Sequence, residues 1–273
     1  MAVFGQPVAG NPTQYMMEKA FAQVGLDWRY LTLDVAPDAL GDAIRGMRAM
    51  GFRGCNLTIP HKVEVIQYLD RSSEAATLMG AVNCVHRVGD ELVGDNTDGK
   101  GFVQSLREAT DPAGKNIVIL GAGGAARAIA VEVGLAGAAA ITVVNRGEQR
   151  GSELAALLND KVHVAAQFVR WEGDYKVPPE TDVLINATSI GLGDAEARVP
   201  VAAETLEADM VVADVIFNPP ETRFLRDARS RDCQTLDGLG MLVNQAVIAF
   251  HIWTGRDADP AVMREALEEF LGI

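Results

Sequence analysis

The chain has 273 residues, of which 48% are apolar and 22% charged, and 37 acidic against 24 basic side chains give a formal net charge of −13. This composition is that of an ordinary globular protein and excludes the disordered and fibrous classes. The acidic balance argues against nucleic acid or an anionic membrane as the partner, because both are bound through clustered Lys and Arg side chains. Small molecules are therefore the expected partners.

Cysteine, histidine and the first residues of the chain add further exclusions. Cys55, Cys84 and Cys233 are widely spaced without a CxxC pair, which predicts neither a disulfide framework nor a thiolate metal site and fits a reducing cytoplasm. The histidines have no metal-ligand spacing, so no metal is predicted. Neither a signal peptide nor an apolar run of membrane-spanning length is present, and we expect a cytoplasmic protein.

Hydrophobic periodicity predicts two series of strands and helices. In the first, strands at 28–33 and 54–59 flank a helix at 38–50. The second series alternates strands with helices, at 116–120, 125–135, 140–145, 148–158, 183–186 and 211–217. This alternation predicts an α/β fold with a parallel sheet covered on both faces. Helices at 241–253 and from Pro260 onward complete the chain.

A glycine-rich turn follows the strand at 116–120. Gly121, Gly123 and Ala126 occupy the G-x-G-x-x-A positions of the dinucleotide-binding fingerprint, in the strand–turn–helix context that it requires. Glycine permits a tight turn and a close approach of the backbone to a pyrophosphate, which a helix N-terminus also favours. The alternative is a glycine-rich turn without a ligand. We predict cofactor contacts from Gly121, Ala122, Gly123, Gly124 and Ala125.

The end of the next strand predicts which dinucleotide binds. An NAD site usually has an acidic residue there for the ribose 2′-hydroxyl, but this chain has Asn145, then Arg146, and Arg150 one helical turn later. Guanidinium groups favour a 2′-phosphate, so NADP is the expected cofactor, with NAD possible. The alternative is a solvated pair of arginines that Glu148 could neutralise.

Seven segments, taken together and in this order, resemble the shikimate dehydrogenase family, including its quinate dehydrogenase relatives. They span nearly the whole chain and lie at 56–62 (NLTIPHK), 80–83 (GAVN), 95–99 (DNTDG), 121–127 (GAGGAAR), 145–146 (NR), 186–191 (NATSIG) and 238–245 (GLGMLVNQ). The resemblance implies an α/β substrate domain at 1–100 with C-terminal helices returning to it at 238–273. A Rossmann-like, doubly wound NADP-binding domain would occupy 101–237. It also implies a role in aromatic amino acid biosynthesis.

The resemblance further implies which residues form the site. Lys62 and Asp98 are expected to be the catalytic pair, and the chemistry agrees, because oxidising a secondary alcohol requires a group that accepts the hydroxyl proton as hydride leaves. A structural ion pair is the alternative for these two residues. Substrate contacts are expected from Thr58, Asn83 and Gln245, and contacts near the nicotinamide from Thr188, Ser189, Gly238 and Met241.

Two positions depart from the family pattern. The family's Ser-x-Ser stretch, which binds the substrate carboxylate, is replaced by 10–15 (GNPTQY), so Asn11, Thr13 or Tyr15 would have to supply the donors. Phe217 stands where the family commonly has tyrosine. We therefore expect an NADP-linked dehydrogenase for a cyclic secondary alcohol of the shikimate type, or for quinate or another ring. A non-catalytic ligand-sensing relative is the alternative, and both a monomer and a homodimer remain open.

Overall fold

The computed structural model describes residues 1–273 and contains twelve strands and ten α-helices. The strands are β1 (Ala2–Gly5), β2 (Leu31–Asp34), β3 (Gly54–Leu57), β4 (Arg71–Ser72), β5 (Cys84–Val88), β6 (Glu91–Asp95), β7 (Asn116–Leu120), β8 (Ala140–Asn145), β9 (Ala165–Arg170), β10 (Val183–Asn186), β11 (Val211–Asp214) and β12 (Gln234–Leu236). The α-helices are α1 (Thr13–Gln23), α2 (Leu40–Ala49), α3 (His61–Glu64), α4 (Glu74–Met79), α5 (Thr97–Leu106), α6 (Gly124–Leu135), α7 (Glu148–Leu157), α8 (Arg223–Arg229), α9 (Gly238–Thr254) and α10 (Pro260–Leu271).

The chain divides into two compact units. The first comprises Met1–Thr97 together with Val243–Ile273, and the second comprises Asp98–Leu242. Each unit has its own six-stranded sheet. No helix is both long enough and apolar enough to cross a membrane.

The sheet of the first unit is mixed. Its strands lie in the order β2-β1-β3-β5-β6-β4, with β1 parallel to β2 and β3 and with β5 antiparallel to both of its neighbours. On one face, α2 buries Leu40, Ile44 and Met47 in a core shared with the strands. Helices α1 and α9 also pack together, and the rings of Phe21 and Phe250 lie 5.4 Å apart. The unit is therefore an α/β layer structure with helices on its sheet.

The sheet of the second unit is wholly parallel. Its order is β12-β11-β10-β7-β8-β9, so the chain winds outward from β7 in one direction and then from β10 in the other. This is the doubly wound order of dinucleotide-binding folds, and ligands bind such sheets at the carboxyl ends of the two strands where the winding reverses. The predicted α/β fold class is confirmed.

Several predicted elements differ from those observed. Strands β7, β8 and β10 have the predicted bounds, whereas the strand predicted at 211–217 ends at Asp214. It ends there because the Asp214 carboxylate accepts a hydrogen bond from the Ile216 amide, which turns the backbone out of the sheet. The antiparallel pair β5 and β6 was not predicted from the sequence. Its two-residue connection, Gly89-Asp90, is the signal that identifies it.

Candidate functional site

The loops that follow β7 and β10 meet at the point where the winding of the second sheet reverses. Gly121, directly after β7, has a φ of +109°, and a Cβ placed there would lie 3.0 Å from the Ala187 carbonyl oxygen and 3.1 Å from Cγ2 of Thr188. Only glycine combines this backbone conformation with so close a neighbour. The glycine-rich turn and the Ala187–Thr188 loop therefore form one continuous edge.

The start of α6 fits a pyrophosphate. Its N-cap is Gly123, which offers no side-chain hydrogen bond to the first backbone N–H groups of the helix. A Cβ at Gly123 or Gly124 would meet nothing within 4 Å, so the turn is open on this side. Backbone N–H groups without an internal partner, at the positive end of a helix, are the donors that phosphate groups use.

The end of β8 carries the two predicted arginines. Asn145 Nδ2 donates to the Gly147 carbonyl at 2.8 Å and so shapes the turn into α7. Glu148, which could have neutralised the arginines, instead lies 3.8 Å from the Arg170 guanidinium. Arg146 is exposed on the connection between β8 and α7, and Arg150 is exposed in the first turn of α7. Arg146 also lines a cavity of about 180 Å³ together with Trp171 and Ile190.

The first unit brings two predicted polar residues, Asn83 and Gln245, together around Thr97. Asn83 Oδ1 accepts from the Thr97 amide at 2.7 Å, and its Nδ2 donates to Thr97 Oγ1 at 3.0 Å. Oγ1 of Thr97 in turn lies 3.4 Å from Oε1 of Gln245. Below them, Asn56 accepts from the buried Tyr30 hydroxyl at 2.6 Å and donates to the Asn83 carbonyl at 3.0 Å. These hydrogen bonds, which define the polar cluster of the first unit, join neutral amides and hydroxyls.

Thr58 lies directly after β3 and against Gly5 at the end of β1. A Cβ at Gly5 would come within 2.3 Å of Thr58 Cγ2, so the missing side chain makes room for this threonine. In the following turn, the His61 ring is buried, and its Nε2 lies 2.7 Å from the Val35 carbonyl, which gives this histidine a structural role. Lys62 is partly exposed in α3, and its carbonyl accepts from the Val82 amide at 2.7 Å.

Asp98, the other predicted catalytic residue, is the second residue of α5 and the first of the second unit. Its side chain is partly exposed. The residue before it in the chain is Thr97, which Asn83 holds through two hydrogen bonds. Asp98 therefore directly follows a residue of the polar cluster in the chain.

Thr13 and Tyr15, two of the three candidate replacements for the missing serines, have different surroundings. Thr13 is buried at the start of α1, and its amide donates to Asn11 Oδ1 at 2.9 Å. The Tyr15 hydroxyl instead donates to Glu269 of α10 at 2.8 Å, and the Lys19 ammonium lies 5.1 Å from the Tyr15 ring. The structure thus directs the hydroxyl of Tyr15 to α10.

A buried carboxylate, Asp214, was not identified from the sequence. It is the last residue of β11 and lies opposite Asn186, the last residue of β10. Its oxygens accept from Asn186 Nδ2, the Ile216 amide and Thr222 Oγ1 at 2.9, 3.1 and 2.8 Å. Burial raises the pKa of the Asp214 carboxyl to about 6, against the opposing effect of these hydrogen bonds. An acidic residue closing a buried apolar strand is the signal that could have revealed it.

The remaining predicted cofactor residues lie on the segments beside this carboxylate. Thr188 Oγ1 donates to Asn186 Oδ1 at 2.7 Å, and Ser189 next to it is exposed. Gly238 begins α9, and its amide donates to the Ile216 carbonyl at 3.2 Å. Met241 follows within the first turn of α9 and is partly exposed.

Three family models match the chain. They are the shikimate dehydrogenase substrate binding domain at 3–85, shikimate / quinate 5-dehydrogenase at 104–193, and the shikimate 5'-dehydrogenase C-terminal domain at 238–268.

Similar proteins align over almost the full length. A ligand-free 5-ketofructose reductase of Gluconobacter sp. strain CHM43 is 54% identical, with a TM-score of 0.96 over 98% of this chain and 97% of that one. The shikimate dehydrogenase (NADP(+)) of Methanopyrus kandleri is 41% identical over 99% of this chain and 95% of its own. Shikimate 5-dehydrogenase of Thermus thermophilus, solved with NADP(H) and shikimate, is 36% identical, with a TM-score of 0.86 over 99% of this chain and 98% of that one.

Proposed function

Because the chain belongs to the shikimate dehydrogenase family, we propose that it interconverts a secondary alcohol and its ketone with NADP(H). The observation that carries the proposal is the edge formed by Gly121 and the Ala187–Thr188 loop where the sheet winding reverses. Relatives over the full chain are named as NADP(+) enzymes, which supports the same cofactor here.

In the proposed complex, the second unit binds the dinucleotide. The N–H groups at the start of α6 take the pyrophosphate, and Arg146 and Arg150 take the 2′-phosphate. Asn145 shapes the turn that presents these arginines. Thr188, Ser189, Gly238 and Met241 are assigned to the nicotinamide side. Ala122 and Ala125 complete the backbone turn around the phosphates.

Lys62 and Asp98 are the proposed catalytic pair. Bound NADPH supplies a hydride for the carbonyl carbon of the substrate. Lys62 donates a proton to the carbonyl oxygen, so that ketone, hydride and proton give the alcohol, and in oxidation it accepts that proton. The Asp98 carboxylate orients the ammonium group and the substrate hydroxyl. Thr58, Asn83, Gln245 and Thr13 are the proposed substrate contacts, and Tyr15 could join them only after its hydroxyl leaves Glu269.

An uncharged keto-sugar is the substrate we propose. The segment Gly5–Tyr15 contains no Lys, Arg or His and lacks the two serines that bind a carboxylate in the family. The hydrogen bonds described in the polar cluster of the first unit join amides and hydroxyls, which suit the hydroxyl groups of a sugar. The 54% identity to a 5-ketofructose reductase, against 36–41% to the two shikimate enzymes, favours the same conclusion.

Shikimate is the second candidate substrate. It is favoured by the chain's match to the substrate-binding model of the family and by its many relatives named shikimate dehydrogenase. In that case Asn11 or Thr13 would have to replace the missing serines as donors to the carboxylate. We place the enzyme in a reducing cytoplasm, where its three buried thiols stay free, as a monomer or homodimer. We assign residues 1–100 and 238–273 to the substrate domain and 101–237 to the cofactor domain.

The proposed function is tested by following NADPH absorbance with purified protein and a panel of ketoses, sugar alcohols, shikimate and quinate. We expect reversible turnover with at least one member of the panel and faster turnover with NADP(H) than with NAD(H). Tight NADPH binding without turnover of any member would support the non-catalytic sensing relative instead.

A further inference from the structure

Asp214 connects two loops that lie on the proposed cofactor side of the second sheet. One carboxylate oxygen accepts from Asn186, in the loop after β10, and from the Ile216 amide, in the loop after β11. The other oxygen accepts from Thr222, the N-cap of α8. We propose that Asp214 is a positioning residue of the dinucleotide site, which fixes the loops that present Thr188 and Gly238 to the cofactor. This inference rests on the proposed use of NADP(H).

The first connection runs from Asp214 through Asn186 to the glycine-rich turn. Because Asn186 Nδ2 donates to Asp214 and to the Ile190 carbonyl, its Oδ1 must face the other way, toward Thr188. There it accepts from the Thr188 amide at 3.2 Å and from the Thr188 hydroxyl at 2.7 Å. The Thr188 methyl group in turn lies next to Gly121. Asp214 therefore sets the orientation of an amide that holds Thr188 against the proposed pyrophosphate turn.

The second connection runs from Asp214 through Ile216 to the start of α9. The Ile216 amide donates to Asp214, and its carbonyl accepts from the Gly238 amide. A Cβ at Gly238 would lie 2.4 Å from that carbonyl oxygen, so the two backbones are in direct contact. A shift of Ile216 must therefore shift the first turn of α9, which carries Gly238 and Met241.

A purely stabilising role does not explain a carboxylate at this position. Asp214 is 1% exposed, and the hydrogen-bond donors around it are neutral. A buried charge without a charged partner is costly, so the carboxylate is kept at the end of β11 at the expense of stability. The carboxylate has two oxygens that accept hydrogen bonds in different directions, one from Asn186 and one from Thr222. These hydrogen bonds hold the two loops in place.

Direct binding of NADPH, measured by its fluorescence, tests the proposal with three variants. Asp214→Ala removes all acceptors, and we expect NADPH to bind about 10-fold or more weakly, by analogy with metal sites that lose a residue orienting the ligands. Asp214→Asn keeps one oxygen for Asn186 and Ile216, and its amide can donate to the Thr222 oxygen. It should therefore restore affinity to within about 2-fold of the wild type.

Asp182→Ala is the matched control. Asp182 immediately precedes β10, at the opposite end of the strand from Asn186, and accepts from the Asn116 amide and the Lys115 ammonium at 2.8 and 3.0 Å. Its loss removes a comparable carboxylate network from the same sheet but from the edge away from the cofactor. We expect this variant to bind NADPH as the wild type does. In kinetics, Asp214→Ala should raise KM for NADPH more than it lowers kcat.

Each other result overturns the inference. Folded Asp214→Ala with wild-type affinity shows that the carboxylate positions nothing. An equal loss in Asp182→Ala shows a general effect on the unit, and an Asn variant as weak as the Ala variant shows that acceptor geometry is not the cause. Should Asp214→Ala fail to fold, Asn186→Ala leaves the carboxylate in place and removes the first connection alone, and unchanged NADPH affinity would then overturn the proposal. A wild-type protein that does not bind NADPH contradicts the proposed cofactor itself.

Discussion

Asn83 and Thr97 are joined by two hydrogen bonds, from the Thr97 amide to Asn83 Oδ1 at 2.7 Å and from Asn83 Nδ2 to Thr97 Oγ1 at 3.0 Å. Both residues are buried. The pair fixes the first residue of α5, and the next residue in the chain is Asp98. A side chain predicted from the sequence to contact substrate therefore also holds the residue that precedes a proposed catalytic carboxylate in the chain.

Replacing Asn83 with alanine should reduce both activity and stability. The change leaves the Thr97 amide and hydroxyl without these partners, so we expect about 1–3 kcal/mol less unfolding free energy and about 100-fold lower kcat/KM. Urea unfolding and steady-state kinetics measure the two effects. Asn159→Ala is the control, since Asn159 makes three comparable hydrogen bonds in the second unit. It should lose stability but not kcat/KM, and equal kinetic losses would refute the role of Asn83.

Lys62→Ala should abolish most turnover without affecting the cofactor. Removing the proposed proton donor is expected to lower kcat by about 10³-fold, while the Kd for NADPH stays within about 2-fold because Lys62 lies in the first unit. Rapid kinetics and fluorescence titration provide the two values. Lys161→Ala, at an exposed lysine of the second unit, serves as control. A Lys62→Ala enzyme with kcat near the wild-type value would exclude this lysine as the proton donor.

Arg146→Ala should reduce the preference for NADPH over NADH. A charge-assisted hydrogen bond to the 2′-phosphate is lost, so NADPH is expected to bind about 10- to 100-fold more weakly, with NADH affected little. Titration of both nucleotides gives the ratio. Arg170→Ala is the matched control, because Arg170 is engaged by Glu148 and Glu172. If the two nucleotides lost affinity equally in Arg146→Ala, the 2′-phosphate assignment would be wrong.

The stability of the protein should depend on pH through Asp214. Burial raises the pKa of this carboxyl from 3.8 to about 6, so the folded state holds the proton more tightly than the unfolded state. The stabilisation of the folded state by protonated Asp214 is therefore complete below pH 3.8 and is lost as the pH rises through about 6.

Asp214→Asn, which cannot ionise, removes this dependence. Relative to wild type, it should gain about 2 kcal/mol of unfolding free energy between about pH 4.5 and about pH 7.5. Urea unfolding of both proteins at the two pH values measures the gain. A constant difference between the two proteins would show that Asp214 does not titrate in this range.

The sequence was sufficient where the signal is local. Strands β7, β8 and β10 are short apolar runs followed by turn residues, and their predicted bounds agree with the structure. The glycine-rich turn was located correctly, since the backbone at position 121 has a positive φ that favours glycine. The family and the α/β fold class are confirmed as well, since seven ordered motifs carry more information than any one element.

Contacts between distant residues could not be predicted. The Tyr15 hydroxyl donates to Glu269, which is 254 residues away in the chain, and no local sequence pattern predicts this hydrogen bond. The role of Asp214 depends on the register that places it opposite Asn186, which exists only once β10 and β11 have paired. The roles assigned to Lys62 and Asp98 remain predictions of the sequence resemblance.

The central claim is that the chain reduces the ketone of an uncharged sugar with NADPH. Its most direct test is the comparison of kcat/KM for 5-ketofructose and for 3-dehydroshikimate under identical conditions with NADPH. Because the two serines expected to bind a substrate carboxylate are missing from this chain, we expect the value for 5-ketofructose to be higher by about 100-fold or more. A kcat/KM for 3-dehydroshikimate that equals or exceeds it would contradict the account.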